Sequence, residues 1–451
     1  MSSQDYTLPE FAERYEYIVF EPDAAIQIGA QGSAQPNRND ITFTINDRTS
    51  IYDYANGYFD VIFYIERLAG IGTGSTNFNF AVADNTVIVN GVHSLIRRLI
   101  LYGQDGQTVY DTPRVNQALH VKKLLEMSPD YAESVAENEF WHLDQVTTFA
   151  DIATAGVIVP GTNKLDGNAI RRGLAAGGAK LNYRIPLKWY SYFNSLKFQN
   201  VLLTGMQLRL VCDIENDANL IYRTGTAEGR VVIERMTLHL PIVLLRPQAQ
   251  QSYVQSITGS PVRWTYNRER IDQYPLSASA EGVFKITGIV KPKKAVFWFV
   301  KDTKFGSQTG NWQHFDTFSG GIGSANARLE RCRLEFADGS YYPYKDYVLG
   351  VTNKDFARLY GDVLEYAKSN DDMSAGTQLT RKNFAELYSM VFFDLDYKKE
   401  ALVSDSKDMT FTFTLSASGA GSTCFAYILY EQEASYGKID NTFVITSEVS
   451  R

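Results

Sequence analysis

Residues 230–245 read Arg-Val-Val-Ile-Glu-Arg-Met-Thr-Leu-His-Leu-Pro-Ile-Val-Leu-Leu. Leu238, Leu240, Ile242 and Leu244 recur at the two-residue period of a pleated strand, not at the 3.6-residue period of a helix. The stretch predicts a strand, and the same pattern spreads from it in both directions. Upstream, Ile41, Phe43 and Ile45 alternate with Thr42, Thr44 and Asn46. Residues 58–65, 85–89, 95–102, 181–187 and 201–211 are rich in aromatic and β-branched side chains, the types that fit a half-buried pleated surface. Gly103 and Gly106 punctuate the run between Tyr102 and Val109 and predict a hairpin. Downstream, residues 283–290, 295–300, 329–336, 390–395, 409–415, 425–430 and 443–445 complete the strands, with Asp338-Gly339 as a turn signal before Tyr341.

Helical spacing interrupts this plan near the middle of each half. Val115, Leu119, Lys122 and Leu125 form one such run, followed by Ser128-Pro129-Asp130 as a helix start. Phe356, Leu359, Tyr360, Val363 and Ala367 form the other, and Thr380 is placed to cap a short helix through Tyr388. Polar residues 246–260 separate the halves. Helices do not alternate with strands, which disfavours a parallel α/β sheet; the fold class is all-β, built of sandwiches or jelly rolls with short helical insertions.

The composition agrees. Of 451 residues, 28 Tyr, 26 Phe and 5 Trp give 13% aromatic content, while 44% hydrophobic and 21% charged residues are ordinary globular usage. A formal net charge of −7 weighs against a chain that mainly wraps nucleic acid. Cys212, Cys332 and Cys424 have the spacing of neither a disulfide framework nor a zinc site, and are expected as buried free thiols. The N-terminus shows no basic-then-apolar leader, and no apolar window approaches the ~18 residues that span a bilayer. A soluble protein made in a reducing compartment is expected.

No arrangement of residues predicts catalysis. His93, His120, His142, His239 and His314 lack the close spacing of a metal-binding pair, and His239 between Leu238 and Leu240 reads as a structural strand histidine. Residues 173–180 have phosphate-loop glycines, but Ala179 stands where the lysine must be; Gly70, Gly72 and Gly74 lack the third spaced glycine of a dinucleotide site. Asp394 and Asp396 share a strand face, as a glycosidase pair would, yet read first as a strand end. Lys291, Lys293 and Lys294 form the densest basic cluster and read as a solvated turn. No cofactor, metal or nucleic-acid site is expected.

Over roughly residues 40–445 the order of features resembles the double jelly-roll major capsid proteins of Polinton/Maverick elements, adintoviruses and virophage-like viruses. The resemblance is carried by Val92-His93-Ser94-Leu95-Ile96 with the hairpin and helix after it, and by Leu181 to Leu187 followed by Trp189, Tyr190, Tyr192 and Phe193. It continues in Lys293 to Val300, in Glu335-Phe336-Ala337-Asp338-Gly339 with Pro343, and in Asn383 to Tyr388 with Phe393-Asp394-Leu395. The chain departs from the family pattern at Thr204, where a proline is usual, and after Asn383, where a glycine is.

The resemblance implies two eight-stranded jelly rolls side by side: an arm at 1–38, a first jelly roll at 39–247, a connection at 248–261, a second jelly roll at 262–432, and a tail at 433–451 that completes or extends it. It implies a non-enzymatic structural protein of an icosahedral virion capsid. Three chains would form a capsomer of pseudo-hexagonal outline, with neighbouring capsomers, penton and minor capsid proteins as partners and synthesis in the host cytoplasm. Tyr15, Tyr17, Ile18 and Phe20 in the arm, and Phe443 and Ile445 in the tail, are the candidate assembly residues. The competing reading is a carbohydrate-binding or carbohydrate-active β-sandwich using Asp394, Asp396 and exposed Trp189 and Trp312.

Overall fold

The computed structural model of the chain describes residues 12–26, 40–46, 50–67, 86–104, 106–145, 166–175, 178–198, 203–204, 207–223, 228–259, 261–289, 291–337, 339–349, 356–369, 377–395, 408–439 and 442–448. Eight strands carry the first half: β1 (Ala12–Phe20), β2 (Ile41–Ile45), β3 (Tyr58–Arg67), β4 (Ile96–Tyr102), β5 (Thr108–Pro113), β6 (Leu181–Pro186), β7 (Leu208–Ile214) and β8 (Gly229–Leu245). Eight more carry the second: β9 (Val262–Pro275), β10 (Glu281–Ile286), β11 (Pro292–Lys301), β12 (Leu329–Phe336), β13 (Tyr341–Val348), β14 (Val391–Asp394), β15 (Met409–Leu415) and β16 (Ser422–Ile439). A last strand, β17 (Thr442–Glu448), folds back on the end of β16.

Apart from the short strands Ile51–Tyr52 and Leu203–Thr204, which lengthen the first sheet, and the separate pair Thr86–Ile88 with Ile221–Arg223, the sheet orders are β1-β8-β3-β6 facing β2-β7-β4-β5, and β9-β16-β11-β14 facing β10-β15-β12-β13. Counted within its own half, each sandwich therefore has the orders 1-8-3-6 and 2-7-4-5, with every one of these pairs antiparallel. That is the jelly-roll order, present twice. Each unit is an open sandwich; among the described residues no sheet closes into a barrel.

The cause is visible strand by strand. β15, Met-Thr-Phe-Thr-Phe-Thr-Leu, alternates buried and half-buried side chains along its whole length. Its Phe411 stacks at 3.9 Å on Phe297 of β11 and so joins the two sheets. In the first sandwich Phe43 of β2 meets Phe59 of β3 at 5.6 Å to the same effect. At the β12–β13 turn the Gly339 N–H donates to Phe336 O, and φ of +78° there favours glycine. Both predicted caps form: Ser128 Oγ accepts from the Tyr131 N–H and Thr380 Oγ1 from the Asn383 N–H. The helices that matter below are α1 (Val115–Glu126), α2 (Gly167–Leu174), α3 (Ser191–Phe198), α4 (Pro247–Gly259), α5 (Ala357–Ser369) and α6 (Arg381–Glu386). One continuous apolar core runs through both sandwiches.

Three expected boundaries differ from what is observed. Residues 12–20, expected in an arm outside the first jelly roll, are its first strand, paired with β8 from Ala12–Leu245 to Phe20–Leu238. Ile18 and Phe20 pack on the core, so alternation outweighs the Gly- and Gln-rich composition of residues 27–39, which lie outside the described residues. The polar connection is the helix α4, with Pro247 at its start where a missing N–H costs nothing. Residues 433–439, expected in the tail, continue β16 past the 432/433 boundary, because Ala434 and Tyr436 are both buried at the two-residue period.

Removing the ring that joins the sheets should show in stability: Phe411→Ala is expected to cost about 3–5 kcal/mol, read from urea unfolding. Cys212, Cys332 and Cys424 are buried and unpaired, so all three should react with a thiol reagent only after denaturation.

Candidate functional site: the seam between the sandwiches

A four-stranded sheet packed on one face ordinarily turns its other face to water. In the second sandwich that outer face is buried: Phe425 and Tyr427 on β16 and Trp298 on β11 are each at most 2% exposed. At the start of β9 the opposite face is covered as well, where Trp264 and Tyr266, at 2% and 1% exposure, meet Tyr192 of α3. Trp298 on β11 packs against Phe315, and α1 lies on β9. The cover comes largely from the helical insertions of the first sandwich, and the contact surface is the seam.

Charged groups inside the seam are paired, several of them from across it. Glu269 on β9, 1% exposed, accepts from Tyr110 Oη at 2.8 Å and from the Ser191 N–H at 2.9 Å, with Lys122 Nζ at 3.7 Å. Lys122 in turn donates to Trp189 O and Ser191 Oγ. Asp144 holds Arg171 of α2 at 2.9 Å and His314 Nε2 at 2.8 Å, while its own N–H donates to Tyr388 Oη. Arg171 spends its remaining donors on Ile88 O, His142 O and Asn168 Oδ1. Lys294 of β11 reaches Glu126 at the end of α1. Every one of these ions has a partner, as burial of charge requires.

Two glutamines add a backbone-like element. Gln313 accepts from the Asn90 N–H at 2.7 Å and donates to Asn90 O at 2.8 Å. Gln308 does the same with Gly229, at 3.0 and 2.6 Å. Each side-chain amide from the second half thus closes a two-bond pair on the first half's main chain, as a neighbouring strand would.

Between these pairs lies an aromatic and imidazole cluster. His93 and His120 stack at 6.2 Å, both rest on Trp141, and His120 also meets Trp312, Phe315 and Tyr388. Burial holds the His120 imidazole down at about 3 and His142 at about 4, and keeps His93 well below the ordinary range. For Asp144, burial pushes its carboxyl up, but Arg171 and His314 outweigh it and bring it to about 2. These imidazoles are neutral at pH 7 and Asp144 is an anion.

The expected site residues fall elsewhere. Tyr15, Tyr17, Ile18 and Phe20 lie on β1, with Tyr15 opposite Val243 in the ladder; Phe443 and Ile445 lie on β17, opposite Lys438 and Tyr436. The two groups are strands of different sandwiches and do not form one site. Ile445 is a core residue at 1% exposure, whereas Tyr17 is 50% exposed. His239 is the strand histidine expected, stacked at 4.8 Å on Tyr58. Lys291 and Lys293 are not a free basic patch but face Glu431 and Glu433. Trp189 and Trp312 are buried, so neither offers the exposed ring that the carbohydrate reading placed there. Asp394 ends β14 and Asp396 lies outside the described residues. Among the described residues no three His, Cys, Asp or Glu side chains stand together as a metal site, and no helix is long and apolar enough to cross a membrane. The seam itself was not foreseen: residues 144, 171, 314 and 388 have no spacing that links them.

No protein-family model and no curated protein matches the sequence. Solved structures match over nearly its full length. A chain of the Sputnik virophage, seen by cryo-electron microscopy, is 12% identical with a TM-score of 0.62, covering 100% of this chain and 92% of that one. The Faustovirus major capsid protein is 11% identical with a TM-score of 0.56, covering 96% and 92%. A chain of the PBCV-1 virus capsid is 10% identical with a TM-score of 0.53, covering 97% and 98%. Likeness at this identity is likeness of fold, and the fold is the double jelly roll.

Two outcomes follow from the seam. Asp144→Asn strands a buried guanidinium and is expected to cost about 3–5 kcal/mol, whereas Asp213→Asn, which breaks an exposed pair with Arg97, should cost at most ~1 kcal/mol. For pH, the unfolded chain's imidazoles titrate near ~6.5 while the folded ones stay neutral to lower pH, so the unfolded state binds more protons in between. Stability is therefore expected to fall as pH drops from about 6.5 towards 4, by up to ~1.4 kcal/mol per pH unit for each histidine. His120→Phe should flatten that slope in urea titrations at pH 7.5 and 5.5; an unchanged slope would contradict the assignment.

Proposed function

We propose that this chain is the structural major capsid protein of an icosahedral double-stranded DNA virus or virus-like element, and not an enzyme. The observation that carries this is the duplication: two sandwiches of identical strand order in one chain, alike over their whole length to proteins of the Faustovirus and PBCV-1 shells. Three copies of a two-unit chain present six similar units around a threefold axis. Such a ring closes heterologous contacts that would otherwise propagate as a fibre. The capsomer is thus a homotrimer of pseudo-hexagonal outline, which packs against neighbouring capsomers in the virion and meets penton and minor capsid proteins at special positions. The chain is made in the host cytoplasm.

Strand β17 serves assembly in this account: it extends the β16 sheet beside the first sandwich. A strand added at a sheet edge is a ready means of joining subunits. The carbohydrate reading has no observation in its favour once Trp189 and Trp312 are buried.

Sedimentation-equilibrium mass of the purified protein tests the proposal. A three-chain species that goes on to form hollow particles by negative-stain microscopy is expected; a single-chain species at all concentrations would contradict it. Deleting residues 442–451 should leave the trimer folded but reduce particle yield several-fold.

A further inference from the structure

The connections of the second sandwich enclose a cavity that adjoins the seam. Its volume is about 1090 Å³, ample for an organic ligand, since small-molecule sites span roughly 300–1,000 Å³. The β11–β12 connection lines it from Thr303 to Ser319, α6 lines it with Arg381, Lys382 and Glu386, and Tyr222 of the first half completes it. His314 also faces it, with Nε2 held by Asp144.

The lining is part apolar and part cationic. Phe318 stacks on Phe356 at 5.8 Å with the rings 4° from parallel, and both are half-buried. The Arg381 guanidinium lies over Phe356 at 5.6 Å, a contact that positions the cation without neutralising it. Lys382, the next residue, lines the same cavity, and both are exposed. Among the described residues neither Arg381 nor Lys382 has a hydrogen-bond or ion-pair partner. The other ions of the lining contrast with them: Lys304 donates to Asp316 Oδ1 and His314 O, both at 2.8 Å, and Asp316 Oδ2 accepts from the Lys301 N–H. With Arg328, the lining carries four cationic side chains against the carboxylates of Asp316 and Glu386, in a chain whose net charge is −7. A concave wall with cations of one sign in excess concentrates its field on an anion.

We infer that this cavity binds an organic phosphomonoester, with the phosphate held by Arg381 and Lys382 and the ring that bears it set against Phe318 and Phe356. The phosphate follows from the cations: a guanidinium fork and a separate ammonium together match a group with three acceptor oxygens and close to two negative charges at neutral pH. A carboxylate would satisfy the guanidinium alone. The ring follows from the two half-buried phenylalanines, which offer it apolar surface. Glu386, one turn along α6 from Lys382, opposes the anion and limits its affinity. The inference stands apart from the shell role and holds for a single chain.

Calorimetric titration of the full chain with phenyl phosphate, inorganic phosphate and benzoate tests it. Phenyl phosphate is expected to bind at one site per chain. Arg381→Gln and Lys382→Gln should each weaken it by about tenfold or more, the loss of a charged hydrogen bond, and Glu386→Gln should strengthen it several-fold. Inorganic phosphate, without the ring, should bind about tenfold more weakly, and benzoate more weakly than phenyl phosphate. All three substituted side chains are exposed, so circular dichroism should be unchanged. Should Arg381→Gln lose its fold with the Phe356 contact, the opposite shifts of Lys382→Gln and Glu386→Gln decide the matter. No binding of phenyl phosphate, or binding that the Gln variants at 381 and 382 retain in full, overturns the inference. Inorganic phosphate binding as tightly as phenyl phosphate overturns the place given to the ring, and benzoate binding as tightly overturns the choice of phosphate.

Discussion

Glu269 sits on the face of a β-sheet, 1% exposed, and the two-sandwich body depends on how its carboxyl group is met. An unpaired carboxylate at such a depth costs several kcal/mol. Its partners Tyr110, Ser191 and Lys122 all come from the other sandwich. Neither half can keep its own surface without the other: separation would expose Trp264 and Tyr266 and strand Glu269 together. The same holds for Asp144, whose ring partner His314 and hydroxyl partner Tyr388 lie in the second half. Polar pairs of this kind add little net stability over an apolar contact, but they fix one relative placement.

That fixed placement is what the proposed shell role needs. Interfaces between copies can repeat only if the two sandwiches of every chain hold the same angle, and a seam knit by buried ion pairs and by Gln308 and Gln313 on main-chain amides resists sliding. The neutral imidazoles of His93 and His120 belong to the same design. They fill an aromatic cluster as apolar rings do at pH 7, and they become a liability when protons are abundant.

Much of the fold was legible in the sequence and the seam was not, for physical reasons. The period-two alternation of Met409 to Leu415 and of Ile41 to Ile45 is a local property, imposed by a sheet with one buried face, and it reads directly. The caps at Ser128 and Thr380 are equally local. Strand β1 was missed because the Gly- and Gln-rich residues after it masked the alternation of Ile18 and Phe20 with Tyr17 and Val19. The seam joins residues more than a hundred positions apart, such as Asp144 with Tyr388 and Tyr110 with Glu269. A buried carboxylate looks the same in sequence as an exposed one; only the pairing of two distant elements distinguishes them. Tyr17 is among the candidate assembly residues named from the sequence, yet its place on the first strand of the sandwich required the register.

The central claim is that each chain is one rigid pair of jelly rolls built to close a ring. Single-particle cryo-electron microscopy of the purified protein addresses it most directly. The account predicts a threefold ring of six sandwiches, with the Glu269 seam inside every chain. A monomer, or a ring in which the two sandwiches of one chain have parted at that seam, would contradict it.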